Sequence, residues 1–191
     1  NNDKEYLQRR DEIIKAMPPE DAPYQRQLTY LWQAASAENG ARNYAAAEEY
    51  IRKALELAPT WAPLHGNLSV YLGKQGNYAA AEKAALRALE LDPEHTLHAN
   101  LVLASWEWHL GKKAEALQRI SGIKVPEARA EQAMYYGCLT CFHASAGDET
   151  KIAESMQKAL SLSEDFRDFV ARDVILDPYR GKAWFIKLFG K

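Results

Sequence analysis

Thiols are scarce in this 191-residue chain, which has two cysteines, Cys138 and Cys141. Two cannot build the multi-bridge framework of a small secreted domain. An excess of either charge is also missing, since 24 Lys and Arg face 26 Asp and Glu for a net charge of −2. Without a broad basic field to hold a phosphate backbone, nucleic acid is not expected as a partner. Long apolar runs are absent too, and no window approaches the roughly 18 consecutive apolar residues of a membrane-spanning helix. The first residues, Asn1-Asn2-Asp3-Lys4-Glu5, are polar and contain no signal-peptide core. The chain therefore reads as soluble. Its start at Asn rather than Met points to a mature form or a fragment, which leaves the compartment open between the cytoplasm and the soluble part of a membrane-associated protein. With 47% hydrophobic and 26% charged residues the composition is globular, and a folded chain of this size buries roughly 70% of its unfolded surface. Disorder of the whole chain is excluded.

What the sequence has in plenty is repetition. Residues 43–48 read Asn-Tyr-Ala-Ala-Ala-Glu, and residues 77–82 read the same, displaced by 34. Ala54-Leu55-Glu56-Leu57 recurs as Ala88-Leu89-Glu90-Leu91, and Pro59 as Pro93, at that same offset. A fixed period of tens of residues marks a repeat array. Inside each period lies a helical hairpin. Leu64, Leu68, Tyr71 and Leu72 follow the three-and-four spacing of one helix face. Gly76-Asn77 interrupts it, because Gly tolerates left-handed angles and Asn caps the next helix. The second helix is expected from about Tyr78 to Leu91, where Ala and other strong helix formers dominate. Asp92-Pro93 ends it, since the proline ring disfavours helical geometry one residue earlier. Ser69 with Ala81, and Ala35 with Ala47, are the short side chains expected where paired helices cross.

The period, together with Gly76, Tyr78, Ala81, Ala88 and Pro93, resembles the tetratricopeptide-repeat family. The resemblance implies an all-α fold, a right-handed α-solenoid of about four helical hairpins with capping helices at both ends. The repeats fall at about 28–61, 62–95, 96–130 and 131–165. The third keeps Leu103, Ala104, Gly111 and Ala116 with a one-residue shift, and its second helix ends early near Gly122. The fourth keeps Gly147, Ile152, Ala159 and Leu160 without the Tyr or the terminal Pro. Residues 1–27 provide an amphipathic helix at 3–17, which offers Leu7, Ile13, Ile14 and Met17 for packing, then the Pro18-Pro19 break and a linker. Residues 166–191 form the C-terminal cap, with short helices expected at 164–173 and 179–189 on either side of Asp177-Pro178. Such caps cover the apolar faces of end repeats.

Catalytic constellations are lacking. The chain has no Gly-x-x-x-x-Gly-Lys-Ser/Thr, Gly-x-Gly-x-x-Gly, Gly-x-Ser-x-Gly or His-Glu-x-x-His, so no enzyme activity and no cofactor are expected. Gly111-Lys112-Lys113 occupies the repeat's own Gly position. Cys138-Leu139-Thr140-Cys141 falls in mid-helix, away from the N-terminal amides that activate a thiolate. There the Cβ atoms stand roughly 5–6 Å apart, against roughly 3.8 Å for a disulfide. The pair reads as packing. Zinc would need two more ligands, and His143 is the only nearby donor; His95 and His98, at a helix start, are equally weak. Asn67-Leu68-Ser69 matches an N-glycosylation acceptor but lies on a helix.

A binding surface remains. The resemblance implies that the first helix of each repeat lines a concave groove. Carried over position by position, this gives Trp32, Gln33, Ser36 and Asn39, then Asn67, Val70 and Lys74. The third repeat gives His98, Leu101, Val102, Ser105, Trp108 and His109, and the fourth Met134, Cys138 and Cys141. The implied groove is aromatic and apolar, with Trp32 and Trp108 as anchors. For Trp108, Leu101 and Met134, packing against caps or neighbouring helices stands as an equal alternative, because the first helix of repeat three is apolar almost all round. Family members that clamp chaperone tails use two Lys, one Arg and two Asn. Here only Asn67 matches, and Trp32, Ser36, His98 and Val102 hold the other positions, so no carboxylate clamp is expected.

The function implied is that of a noncatalytic protein–protein interaction module, an adaptor or assembly scaffold that binds a partner peptide or helix. The alternative is a soluble domain of a larger membrane-associated bacterial assembly protein, for secretion, pilus formation or polysaccharide export. The apolar Trp184–Lys191 segment is then either a cap or a lipid-facing surface, with direct membrane contact not expected. Pairing of the ends into a homo-oligomer is a further option.

Overall fold

A computed structural model describes residues 2–94, 96–163, 167 and 173–189. The backbone is helical, with no strand among the described residues, and the chain divides into two compact units at Asp92 and Pro93. The first unit holds α1 (Asn2–Lys15), α2 (Tyr24–Gly40), α3 (Tyr44–Leu57), α4 (Ala62–Lys74) and α5 (Tyr78–Leu91). The second holds α6 (Leu97–His109), α7 (Lys113–Gly122), α8 (Arg129–Ala146) and α9 (Glu149–Leu162), then a 3-10 helix (Val174–Tyr179) and α10 (Ala183–Phe189).

The same turn closes each hairpin. The amides of Asn43, Asn77, Lys112 and Asp148 each reach back five residues to the carbonyls of Glu38, Leu72, Glu107 and His143, at 2.9, 3.0, 2.8 and 3.1 Å. The preceding residue is left-handed in every case: Arg42, Gly76, Gly111 and Gly147, with φ of 61°, 82°, 80° and 74°. This is the Schellman arrangement, which satisfies the last carbonyls of one helix and aims the chain back along it. Glycine adopts that backbone without penalty; Arg42 does not.

Buried short side chains recur at matching places. Ala35, Ser69, Ala104 and Thr140 on the first helices, and Ala47, Ala81 and Ala116 on the second, are all fully buried. Small residues let the helix backbones approach, and Ser69 Oγ donates to the Ala81 carbonyl at 2.8 Å. In the last hairpin Ile152 takes the alanine's place, also fully buried, and Thr140 Oγ1 donates to Ser155 Oγ at 3.1 Å.

Within each unit the hairpins dock differently. In the first unit α4 lies against α3, whereas in the second α8 lies mainly along α6. The helix α7 ends at Gly122, too short to cover the 18-residue α8. It is tied to α6 by Arg119, whose guanidinium holds both oxygens of buried Glu107 at 2.7 and 3.0 Å and donates to Asn100 Oδ1 at 2.8 Å.

At the N-terminus, α1 rests on α2, and the Tyr30 hydroxyl donates to the Ile14 carbonyl at 3.2 Å. Ile13 and Ile14 are half-buried, but Leu7 and Met17 stay exposed. Only one side of α1 meets the rest of the unit, and Met17 lies beyond its last residue. At the C-terminus, Leu176 and Phe185 join Ala144, Ile152 and Met156 in one core cluster, flanked by Tyr179, Trp184, Leu188 and Phe189. The expected break at Asp177-Pro178 is instead the interior of the 3-10 helix. So short an element tolerates the missing amide, and Asp173 caps it by accepting from the Ile175 amide at 3.2 Å. The helix expected at 164–173 lies almost wholly outside the described residues, as does His95.

Candidate functional site

In the first unit, α2 and α4 present the first-helix face. The half-buried Trp32 meets Trp61 edge to face, with ring centroids 4.8 Å apart. Trp61 is the residue before α4, and its place is fixed by the Pro59 turn, where His65 Nε2 bonds the Pro59 carbonyl at 2.8 Å. Asn67 and Val70 are half-buried on α4. Asn67 makes no side-chain hydrogen bond among the described residues, and neither does the exposed Gln33. Asn39 accepts from Lys74 Nζ at 3.1 Å, and that ammonium sits 5.4 Å from the Tyr44 ring centre. Gln33 and Ser36 lie beside α1, where they line a cleft with Arg9, Arg10 and Ile13.

In the second unit the expected set divides. Leu101 is fully buried against Tyr135 and Leu139 of α8, and Val102 and Ser105 are buried as well. These three are therefore buried and offer no open lining, and at Leu101 it is α8 that covers the side chain. Trp108 is half-buried between helices, 5.7 Å from Phe142 edge to face and 5.1 Å from Lys113 Nζ. Met134 and His98 keep part of their surface exposed. Cys138 packs against the Leu101 cluster. Cys141 Sγ donates to the buried Asp173 carboxylate at 3.8 Å. The two cysteines form no disulfide, and among the described residues no group of three His, Cys, Asp or Glu is placed to hold a metal ion.

Burial shapes the titration of the imidazoles. Desolvation holds His98, His109 and His143 below their ordinary pKa of 6.5, with the Lys151 charge adding to the effect at His143. His109 Nε2 and Ser145 Oγ share a hydrogen bond of 3.1 Å that links α6 to α8. Neutral imidazoles here offer donor and acceptor groups without charge.

Trp61, Phe142 and the flank of α1 adjoin Trp32, Trp108 and Gln33 without being among the residues the sequence points to. Trp61 could have been found from the period, since it falls at the end of the first repeat, immediately before the next first helix. Phe142 and α1 left no such signal.

Stacked helical hairpins with a shared turn define an all-α helical-repeat protein. Family models described as tetratricopeptide repeat match residues 28–60 and 62–95, the spans of the α2–α3 and α4–α5 hairpins. The chain carries two tetratricopeptide repeats, over residues 28–60 and 62–95. No curated protein matches it. Repeats of this family are protein–protein interaction modules, and binding to another protein or peptide is the general function they indicate.

Proposed function

We propose that the chain is a noncatalytic adaptor or assembly scaffold that holds an extended or helical segment of a partner protein on the first-helix face of its hairpins. The observation that carries this reading is the Trp32–Trp61 pair, formed between α2 and the start of α4, the helix that also bears Asn67 with its side-chain amide unengaged among the described residues. A rigid aromatic edge contributes contact area at small entropic cost, and side-chain amides fix the register of a bound backbone. Val70 extends this face in the first unit, with Gln33 and Ser36 at its edge beside α1. In the second, His98, Trp108, Met134 and Cys141 are the members that keep surface. The near balance of charge argues against nucleic acid as the partner.

Peptides selected from a random display library on the immobilised chain, then titrated calorimetrically, test the reading. Trp32→Ala should weaken the selected peptides by about tenfold or more, as loss of an interface anchor does, with Asn67→Ala weaker by a smaller factor. Peptides that bind all three proteins equally would remove Trp32 and Asn67 from the site.

A further inference from the structure

Where α1 rests on α2, the two helices leave an open cleft of about 620 Å³. Its walls are apolar at Ile13, Ala16 and Tyr30, while Arg9 enters from α1 and Arg26 from α2. Both arginines are exposed. The other described arginines are engaged. Arg10 bonds Asp11 and also feels the charge of Glu38. Arg52, Arg87, Arg119 and Arg180 pair with carboxylates, and Arg129 and Arg167 donate to carbonyls; Arg42 has a partner too. Among the described arginines, Arg9 and Arg26 alone make no side-chain hydrogen bond or ion pair, and both line the same cleft. The cleft's single carboxylate, Glu12, accepts from Gln8 at 3.1 Å, so the lining carries net positive charge.

The geometry points to a second docking site, in which this cleft takes an acidic segment of a partner protein, a carboxylate held between Arg9 and Arg26 and a neighbouring aliphatic side chain resting on Ile13 and Tyr30. The guanidinium fork matches a carboxylate bidentately. The apolar wall sets an acidic-aliphatic peptide above a bare anion, because a small anion leaves Ile13 and Tyr30 without contact. The site adjoins the aromatic face at Gln33, but its charged and apolar contacts, Arg9, Ile13, Arg26 and Tyr30, lie outside that face, and it does not depend on the function proposed there.

The test is amide NMR of the full chain titrated with three probes: an acetylated, amidated peptide of alternating Glu and Leu, its Lys-Leu counterpart, and inorganic phosphate. The Glu-Leu peptide should move the amide signals of Arg9, Ile13, Arg26 and Tyr30, and its affinity should fall as salt is raised. Arg9→Gln and Arg26→Gln, both at exposed positions, should each weaken it by about tenfold through loss of a charge-assisted contact at unchanged melting temperature. Trp32→Ala should leave it unaffected. The proposal is overturned if the cleft signals stay still, if the Lys-Leu peptide or phosphate binds as tightly, or if Trp32→Ala abolishes binding of the acidic probe.

Discussion

Arg42 and Gly76 hold the same left-handed backbone one repeat apart, at φ 61° and 82°. Both close a first helix with the same pair of reaching-back amides. The first hairpin thus carries a backbone strain that the other three relieve with glycine.

Replacing Arg42 with Gly should stabilise the protein by about 0.5–1 kcal/mol, the left-handed penalty partly offset by the greater freedom of glycine in the unfolded chain. Gly76→Ala should cost about 1 kcal/mol, and this is purely conformational, because a Cβ at Gly76 meets nothing within 4 Å. Urea denaturation of the two variants checks both signs. Equal midpoints for wild type and Arg42→Gly would contradict the strain.

The second helices start unequally. Asn77 and Asp148 accept from the amides of Ala80 and Lys151, at 3.4 and 3.1 Å, while Lys112 has no acceptor to offer at the start of α7. Lys112→Asp supplies one and places a negative charge at the helix N-terminus, for a gain of about 1 kcal/mol. Thermal melts of Lys112→Asp and Lys112→Ala separate the effects, since only the aspartate should raise the midpoint clearly.

Ser69 is a crossing point with no spare volume. Ser69→Ala removes one buried hydrogen bond and should cost about 1 kcal/mol. Ser69→Leu forces the α4 and α5 backbones apart and should cost about 3 kcal/mol, at the upper end of overpacking. If Ser69→Leu proved the milder change, the close approach of α4 and α5 would be wrong.

Acid should destabilise the chain before its carboxylates titrate. With desolvation holding His98, His109 and His143 below 6.5, the unfolded chain takes up protons first as the pH falls. Stability is then complete above that value and declines below it, towards the folded-state pKa values. Asp148 and Glu149, lowered by their bonds to Lys151 and to Lys182, add their losses only at more acidic pH. Urea midpoints at pH 7.5 and 5.5 should differ, and His143→Gln should narrow the gap. A flat profile rejects the assignment.

Most of the helices were legible in the sequence, and the site less so. Repetition fixes α5 at Tyr78–Leu91, the Gly76 turn and the Ser69–Ala81 crossing, because each of these depends on local backbone preference or on side-chain size. The early end of α7 at Gly122 was readable for the same reason. For Leu101 the sequence leaves lining and packing open, and for Val102 and Ser105 it suggests lining, because α6 is apolar on nearly every side and its pattern names no face; all three are buried. The burial of Leu101 follows from α8 lying along α6, a tertiary arrangement that the short α7 permits. Trp32 stands out in the sequence as a first-helix aromatic, whereas Trp61, the ring it meets, lies in the turn before α4, outside the helical pattern that marks the face. Asp177-Pro178 reads as a break in any sequence, and only the cap at Asp173 shows that a tight helix spans it.

The lean of α8 on α6 has a consequence for chain continuity. The segment 123–128 between α7 and α8 has no regular helix and exposes Val125, while α6 and α8 stay joined through Leu101, Tyr135 and Leu139. The covalent link there carries little of the second unit's cohesion. A chain cut after Lys124 should therefore reassemble from its two fragments, with the nick absorbed at a junction where consecutive helices depend little on each other.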